Sequence, residues 1–222
     1  DNIAILSGDT LLIEAYNHFL EGNYANLSAL LTVFNQTAIE VCEGQQLDMN
    51  FESRDDVTID EYINMIKLKT SVLVGGALKL GALVGGASDT EADLIYNFGV
   101  NLGIAFQLQD DYLDCFGDPE KFGKQVGGDI ISNKKTFLML KALELDSSEL
   151  LQDWVDKKDF DASAKVEAVK TIYKDLKVDQ LAFNQMDAYY QKSIQFLNRI
   201  NAPEDKKKVL EEFANHLMKR AS

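Results

Sequence analysis

Apolar residues recur at helical spacing through most of the chain, and capping signals mark where helices begin. Leu11, Leu12, Ala15 and Phe19 share a face over Thr10–Glu21, and Gly22-Asn23 ends that run. Leu30, Val33, Phe34, Thr37 and Val41 predict a helix from about Asn26 to Met49, followed by a charged loop from Asn50 to Val57. Thr58-x-x-Glu61 is a capping box that opens a helix reaching about Val84. Within it, Ala77, Gly81 and Gly85 form a small-residue stripe, expected to admit a neighbouring helix at about 1 kcal/mol of propensity per glycine. Ser88-x-x-Glu91 reads as a second capping box, opening a helix that runs to about Cys115 and is broken by Gly117-Asp118-Pro119. Residues 116–133 form a long glycine- and lysine-containing loop, of the kind that is often functional. Four or five further helices are expected, at about Lys134–Leu145, Ser148–Trp154, Ala162–Leu176, Val178–Ile200 and Pro203–Arg220, with Pro203 suited to a first turn. The pattern predicts an all-α chain whose residues 1–222 form a single helical domain.

Composition agrees and narrows the partners. Only Pro119 and Pro203 interrupt 222 residues, and 46% of the chain is hydrophobic, which suits a helical core. The net charge of −14 argues against nucleic acid, which needs a basic surface. It leaves room for diphosphates, because those can be held through divalent cations, and cations need carboxylates. Cys42 and Cys115 lie far apart in apolar helical contexts and are expected to be reduced core residues of a cytoplasmic protein. His18 and His216 form no spaced pair, so a zinc site is not expected. The apolar run Ser71–Ala87 is short and glycine-rich for a membrane span and reads as a buried helix. The chain opens on Asp1-Asn2 without an initiator methionine or a signal peptide, and is read as processed or truncated.

The segment that carries chemistry is Phe106-Gln107-Leu108-Gln109-Asp110-Asp111-Tyr112-Leu113-Asp114. Asp110 and Asp114 are four apart, Asp111 and Asp114 three apart, and Gln107 lies one turn earlier, so four oxygen-bearing side chains are expected on one patch. Asp inside a helix is about 0.5–0.7 kcal/mol worse than Ala. Repulsion between half-buried carboxylates reaches about 4 kcal/mol per pair at close range. The apolar flanks Leu102, Ile104, Ala105, Phe106, Leu108, Leu113 and Phe116 suggest such burial. A counter-ion would offset that repulsion, and an oxygen-only donor set suits Mg2+. The alternative is a solvated acidic face. A second acidic stretch, Arg54-Asp55-Asp56-Val57-Thr58-Ile59-Asp60, straddles a loop and a helix start and is assigned to capping and the helix dipole.

Basic residues that could meet the remaining phosphate charge are Lys69, beside Thr70 in an apolar helix, and Lys124 and Lys134, which bracket the glycine-rich loop. Taken singly, each reads as an ordinary surface lysine. Taken together and in order, the motifs resemble those of the trans-isoprenyl diphosphate synthases, the farnesyl and geranylgeranyl diphosphate synthase family. Ala4–Asp9 looks like the helix start after the family's first aspartate-rich motif, and Gly44-Gln45-Gln46-Leu47-Asp48 like its Gly-Gln-x-x-Asp signature. Lys69-Thr70 is similar to its Lys-Thr pair, and Phe106–Asp114 to its second aspartate-rich motif. Gly123-Lys124, Gly128-Asp129-Ile130 and Lys134-x-Thr136 resemble the segment that follows. The likeness covers residues 1 to about 145.

The resemblance implies an isoprenoid-synthase-type helical bundle around a central cavity, and a prenyltransferase that condenses isopentenyl diphosphate with an allylic diphosphate in a homodimer. It implies Asp110, Asp111 and Asp114 as Mg2+ ligands, Asp110 foremost, and Lys69, Lys124 and Lys134 on the diphosphate. It also implies Gln45, Asp48, Thr70 and Gln107 as pocket residues, with Lys69, Thr70, Gln107 and Asp110 nearest the chemistry. Gln45 and Asp48, three apart, would face one cavity. The family's first aspartate-rich motif and its basic Gly-Lys-Arg segment do not occur in these residues. The bundle is therefore expected to be N-terminally incomplete, inactive by itself, and to expose apolar surface. Two other readings are a noncatalytic partner subunit of such an enzyme and an unrelated carboxylate-bridged metal protein. The latter would need Glu-x-x-His pairs, which neither histidine supplies.

Overall fold

The computed structural model describes residues 2–118 and 126–219. Among them the regular structure is entirely helical. The helices are α1 (Asn2–Glu21), α2 (Leu27–Phe51), α3 (Ile59–Ile66), α4 (Val72–Val84), α5 (Asp89–Phe116), α6 (Gly128–Ile131), α7 (Phe137–Leu145), α8 (Leu150–Asp156), α9 (Ala162–Asp175), α10 (Val178–Asn198) and α11 (Glu204–Met218).

The bundle is organised around α5. Every residue from Phe98 to Ala105 is buried, so this stretch is enclosed on all sides. It packs most extensively against α10 and α4. Phe98 and Leu102 meet Leu197, Ile200 and Ala214 in one apolar cluster. Ile104, Ala105 and Leu108 join Met65, Ile66, Val169 and Ala182 in a larger one. Polar groups on this helix are satisfied locally or across the bundle: Asn101 donates to the Asn97 carbonyl at 2.7 Å, and Gln109 to the Met218 carbonyl at 2.8 Å. The second bond fixes the end of α11 beside the aspartates.

Several sequence expectations change on contact with the fold. The helix that the pattern starts at Thr10 begins at Asn2 and buries no residue. Leu11 is 70% exposed, and Phe19, against Phe34 at 5.1 Å between ring centroids, is one of few anchors of its face. Cys115 is buried but Cys42 lies on the exposed side of α2, so only one of the two is a core thiol; both are free. The Ala77–Gly81–Gly85 stripe faces outward, and nothing stands within 4 Å of a Cβ built at Gly81. The close helix approach is made one face away, where a Cβ at Gly99 would fall 2.8 Å from the Gly75 Cα.

Capping also departs from expectation. Thr58 and Glu61 form the reciprocal box, the Thr58 amide donating to Glu61 at 2.9 Å and the Glu61 amide to the Thr58 hydroxyl at 3.2 Å. Asp55 and Asp56 do not cap: Asp56 pairs with Arg54 at 2.7 Å and Asp55 with Lys135 at 3.4 Å. Ser88 caps α5 alone, because the Glu91 carboxylate accepts instead from the Asn201 amide at 3.0 Å. The loop expected over 116–133 contains α6, and the helix expected from Lys134 starts at Phe137, capped by Thr136.

Gly99→Ala should therefore destabilise the chain by about 1–3 kcal/mol through overpacking. Gly81→Ala should stabilise it by about 0.5–1 kcal/mol through helix propensity alone. Urea melts of the two variants check both signs.

Candidate functional site

The helix expected from Thr58 to Val84 is interrupted by a π-helical turn at Lys67–Ser71, between α3 and α4. Such turns insert one residue and re-aim side chains, often where function is located. This one is wedged between two glycines. A Cβ on Gly44 of α2 would strike the backbone nitrogen of Lys69, and one on Gly103 of α5 would lie 2.7 Å from the Ser71 Cα. From the wedge, Lys69 reaches Asp48 of α2, with Nζ 2.6 Å from Oδ2. Thr70 reaches α5, its hydroxyl donating to Gln107 Oε1 at 3.3 Å.

Asp111 is the most deeply placed acid of α5, with 3% of its surface exposed. Its Oδ2 accepts from the Tyr62 hydroxyl, its Oδ1 accepts from Gln107 Nε2 at 3.1 Å, and Lys134 Nζ stands 3.7 Å away. Burial pushes its carboxyl up, while Lys134, Tyr62 and Gln107 pull it down. Tyr62, fully buried beside that carboxylate, has its hydroxyl held well above the usual phenol range. Lys134 also pairs with Asp129 at 3.3 Å. Burial lowers the Lys134 ammonium, but Asp111 and Asp129 outweigh it and hold it above its ordinary value. Asp129 is pushed up to about 6, chiefly by burial.

Asp114 turns the other way. Its Oδ1 accepts from the Asp129 amide at 2.9 Å, and its carbonyl accepts from the Gly127 amide at 2.6 Å, so it holds the start of α6. Asp110 is half-buried, and its side chain makes no hydrogen bond among the described residues. The single patch of four converging oxygens is thus divided: Gln107 and Asp111 meet each other, and Asp114 meets α6. A cavity of about 30 Å3 joins Asp48, Lys69, Gln107, Asp111 and Lys134. It adjoins a cleft of about 660 Å3 that shares Asp48, Met65 and Lys134, a volume within the range of small-ligand sites. Gln45 is exposed and lines neither of these two. Lys124 lies outside the described residues.

Sequence reasoning overlooked Tyr62 and assigned no role to Asp129. The signal for Tyr62 was present: Tyr62, Met65, Ile66 and Lys69 stand at i, i+3, i+4, i+7 and all line the small cavity. Asp129 was visible only as part of a motif, because its partners come from α5 and from the turn before α7.

The donor set fits Mg2+ in one particular sense. Among the described residues no three acidic, histidine or cysteine side chains stand close enough to enclose an ion. A cation here would take one or two carboxylates from α5 and complete its shell with phosphate oxygens and water, as Mg2+ commonly does.

Residues 1–176 match the family model described as polyprenyl synthetase. The chain is 43% identical over 148 residues to the short chain isoprenyl diphosphate synthase of Methanothermobacter thermautotrophicus, covering 66% of this chain and 46% of that one. It is 35% identical to the geranylgeranyl diphosphate synthase of Sulfolobus acidocaldarius, covering 91% of this chain and 63% of the relative. A crystal structure of a geranylgeranyl pyrophosphate synthase superimposes on all of this chain and 69% of its own, with a TM-score of 0.94 and 46% identity. The chain spans about half the length of the first curated relatives it matches.

The raised Asp129 carboxyl carries a signed consequence. Its protonated form is favoured in the folded chain, so its contribution to stability is fully present below the unfolded value near ~3.9 and is lost as the pH rises through about 6. Asp129→Asn removes that titration. Its stability relative to the parent should rise between about pH 4 and about pH 7, by up to about 2–3 kcal/mol. Urea melts in EDTA at the two pH values test this, and a pH-independent difference would contradict it.

Proposed function

The chain belongs to the polyprenyl synthetase family, and on that basis we propose that it supplies one half of a trans-prenyltransferase site, which grips an allylic diphosphate for condensation with isopentenyl diphosphate. The observation that carries this reading is the meeting of α5 oxygens with lysines from two other elements around one cavity. Asp110 and Asp114 would hold Mg2+, with Asp111 behind them. Bound there, the metal would neutralise charge on the departing diphosphate. Lys69 and Lys134 would exchange their carboxylate partners, Asp48 and Asp111 with Asp129, for phosphate oxygens, and Lys124 would join them. That exchange keeps each ammonium paired throughout, so no bare charge is left in a half-buried site. Thr70 and Gln107 would orient the same group, with Gln45 on the approach. The apolar wall formed by Met65, Ile66 and neighbouring α5 residues would keep water from the allylic cation.

The 222 residues contain one aspartate-rich motif of the family type. One clamp stabilises a leaving diphosphate less than two facing ones, so the chain by itself is expected to bind diphosphate without appreciable turnover. The family resemblance also implies a homodimer, and the apolar face of α1, where Ile3 is 81% exposed, is left uncovered by the described residues. No helix among the described residues is long and apolar enough to cross a membrane.

Calorimetric titration with inorganic diphosphate should show binding that requires Mg2+ and disappears with EDTA. Asp110→Ala and Lys134→Ala should each weaken it about tenfold or more. Metal-independent binding, or affinity unchanged in both variants, would refute the reading. In the same preparation, product from isopentenyl and allylic diphosphates should stay at background, and light scattering should report about twice 24.8 kDa.

A further inference from the structure

We propose that Lys165 of α9 is a positioning residue for Lys134: it locks the corner at Asn133 and so sets the segment that carries Asp129 and Lys134 against the aspartates of α5. Its ligand-binding consequence rests on the function proposed above.

Lys165 is fully buried. Its Nζ lies 2.6 Å from Asn133 Oδ1 and 4.3 Å from the centre of the Phe160 ring. Both of these partners are neutral. A buried ammonium held by an amide oxygen and a ring face is a costly way to fill space, which Met or Leu would fill without a desolvation penalty. The arrangement is intelligible from what the ammonium holds.

Asn133 is left-handed, with φ of 53°. Its Nδ2 donates to the Val155 carbonyl at 3.0 Å. The ammonium can only donate and the carbonyl can only accept, so together they allow the Asn133 amide one orientation. The other end of the segment is held by the next residue of the same helix. Gly127 has φ of 91°, and a Cβ there would lie 2.7 Å from Val166 Cγ2. Two consecutive residues of α9 therefore brace the two left-handed corners on either side of α6.

Between and beside those corners lie the groups that meet α5. The Asp129 amide donates to Asp114 Oδ1 at 2.9 Å, and Lys134, the residue after Asn133, places its ammonium 3.3 Å from Asp129 and 3.7 Å from Asp111. Lys165 makes none of these contacts itself. Its influence passes through one backbone corner, and rotation of Asn133 out of the left-handed region would carry the Lys134 stem with it.

The test uses Lys165→Met, which keeps length and removes the charge, and Asn133→Gly, which accepts the left-handed corner and removes the acceptor. Two readouts separate the outcomes. In the ligand-free chain, hydrogen exchange at the Asp129 and Lys134 amides should quicken at least tenfold in each variant, while amides in the middle of α5 remain as in the parent. In calorimetry with Mg2+ and inorganic diphosphate, each variant should lose about tenfold in affinity, and the double variant no more than either one. In a Lys134→Ala background, Lys165→Met should have no further effect. Should Lys165→Met fail to fold, Asn133→Gly carries both readouts. Unchanged exchange at Asp129 and Lys134, or an affinity loss that persists undiminished without Lys134, would overturn the proposal. Quickened exchange in a chain whose parent does not bind Mg2+ and diphosphate would instead sustain the latch and reject the function proposed above.

Discussion

Asp111 is a carboxylate on the most enclosed helix of the bundle, and α5 cannot tolerate it bare. Its oxygens are met from three directions: Tyr62 from α3, Gln107 from its own helix, and Lys134 from the turn before α7. Removing any one would leave a buried acceptor short of a partner, at roughly 1–3 kcal/mol. The need to satisfy this one group ties together elements that are far apart in sequence. Tyr62 lies 49 residues before it and is as fully buried as any aromatic among the described residues.

Two devices bring the cations to the cavity beside that anion, and both exploit local departures from regular helix. The π turn at Lys67–Ser71 rotates Lys69 and Thr70 toward α2 and α5, and it fits because Gly44 and Gly103 present no side chain to it. The segment after α5 uses left-handed corners at Gly127 and Asn133 to fold a single helical turn over Asp114. Regular helices could not do either, since their side chains project at fixed angles from a straight axis. Irregular backbone braced by packed helices holds a reactive side chain in place while leaving it free to change partners.

The charge arrangement also bears on how such a site would respond to a ligand. Lys69 is paired with Asp48, and Lys134 with Asp111 and Asp129. On the proposed function, a cation on the α5 carboxylates and a diphosphate on the lysines would compensate each other's charge. Either alone would leave like charges facing each other, which explains in electrostatic terms why the two should bind as a unit.

Much was legible from the chain alone. Helical periodicity, the Thr58 box and the aspartate spacing led to an all-α bundle and to the long helix that carries the aspartates, because those signals are local and repeat every turn. The placement of Lys69, Thr70, Gln107 and Asp48 near one another followed from ordered motifs. Other features were not legible, and each depends on what packs against a helix rather than on the helix itself. Cys42 and the Ala77–Gly81–Gly85 stripe have apolar neighbours in sequence yet face outward, while Gly75 and Gly99 make the close approach. Asp110, Asp111 and Asp114 are equivalent by spacing, but only the fold gives one a buried tyrosine, another the start of α6, and leaves the third open. A helical period determines which residues share a face. Which face is buried, and which distant group answers a buried charge, is decided when the helices pack, because desolvation acts on three-dimensional neighbours and not on neighbours along the chain.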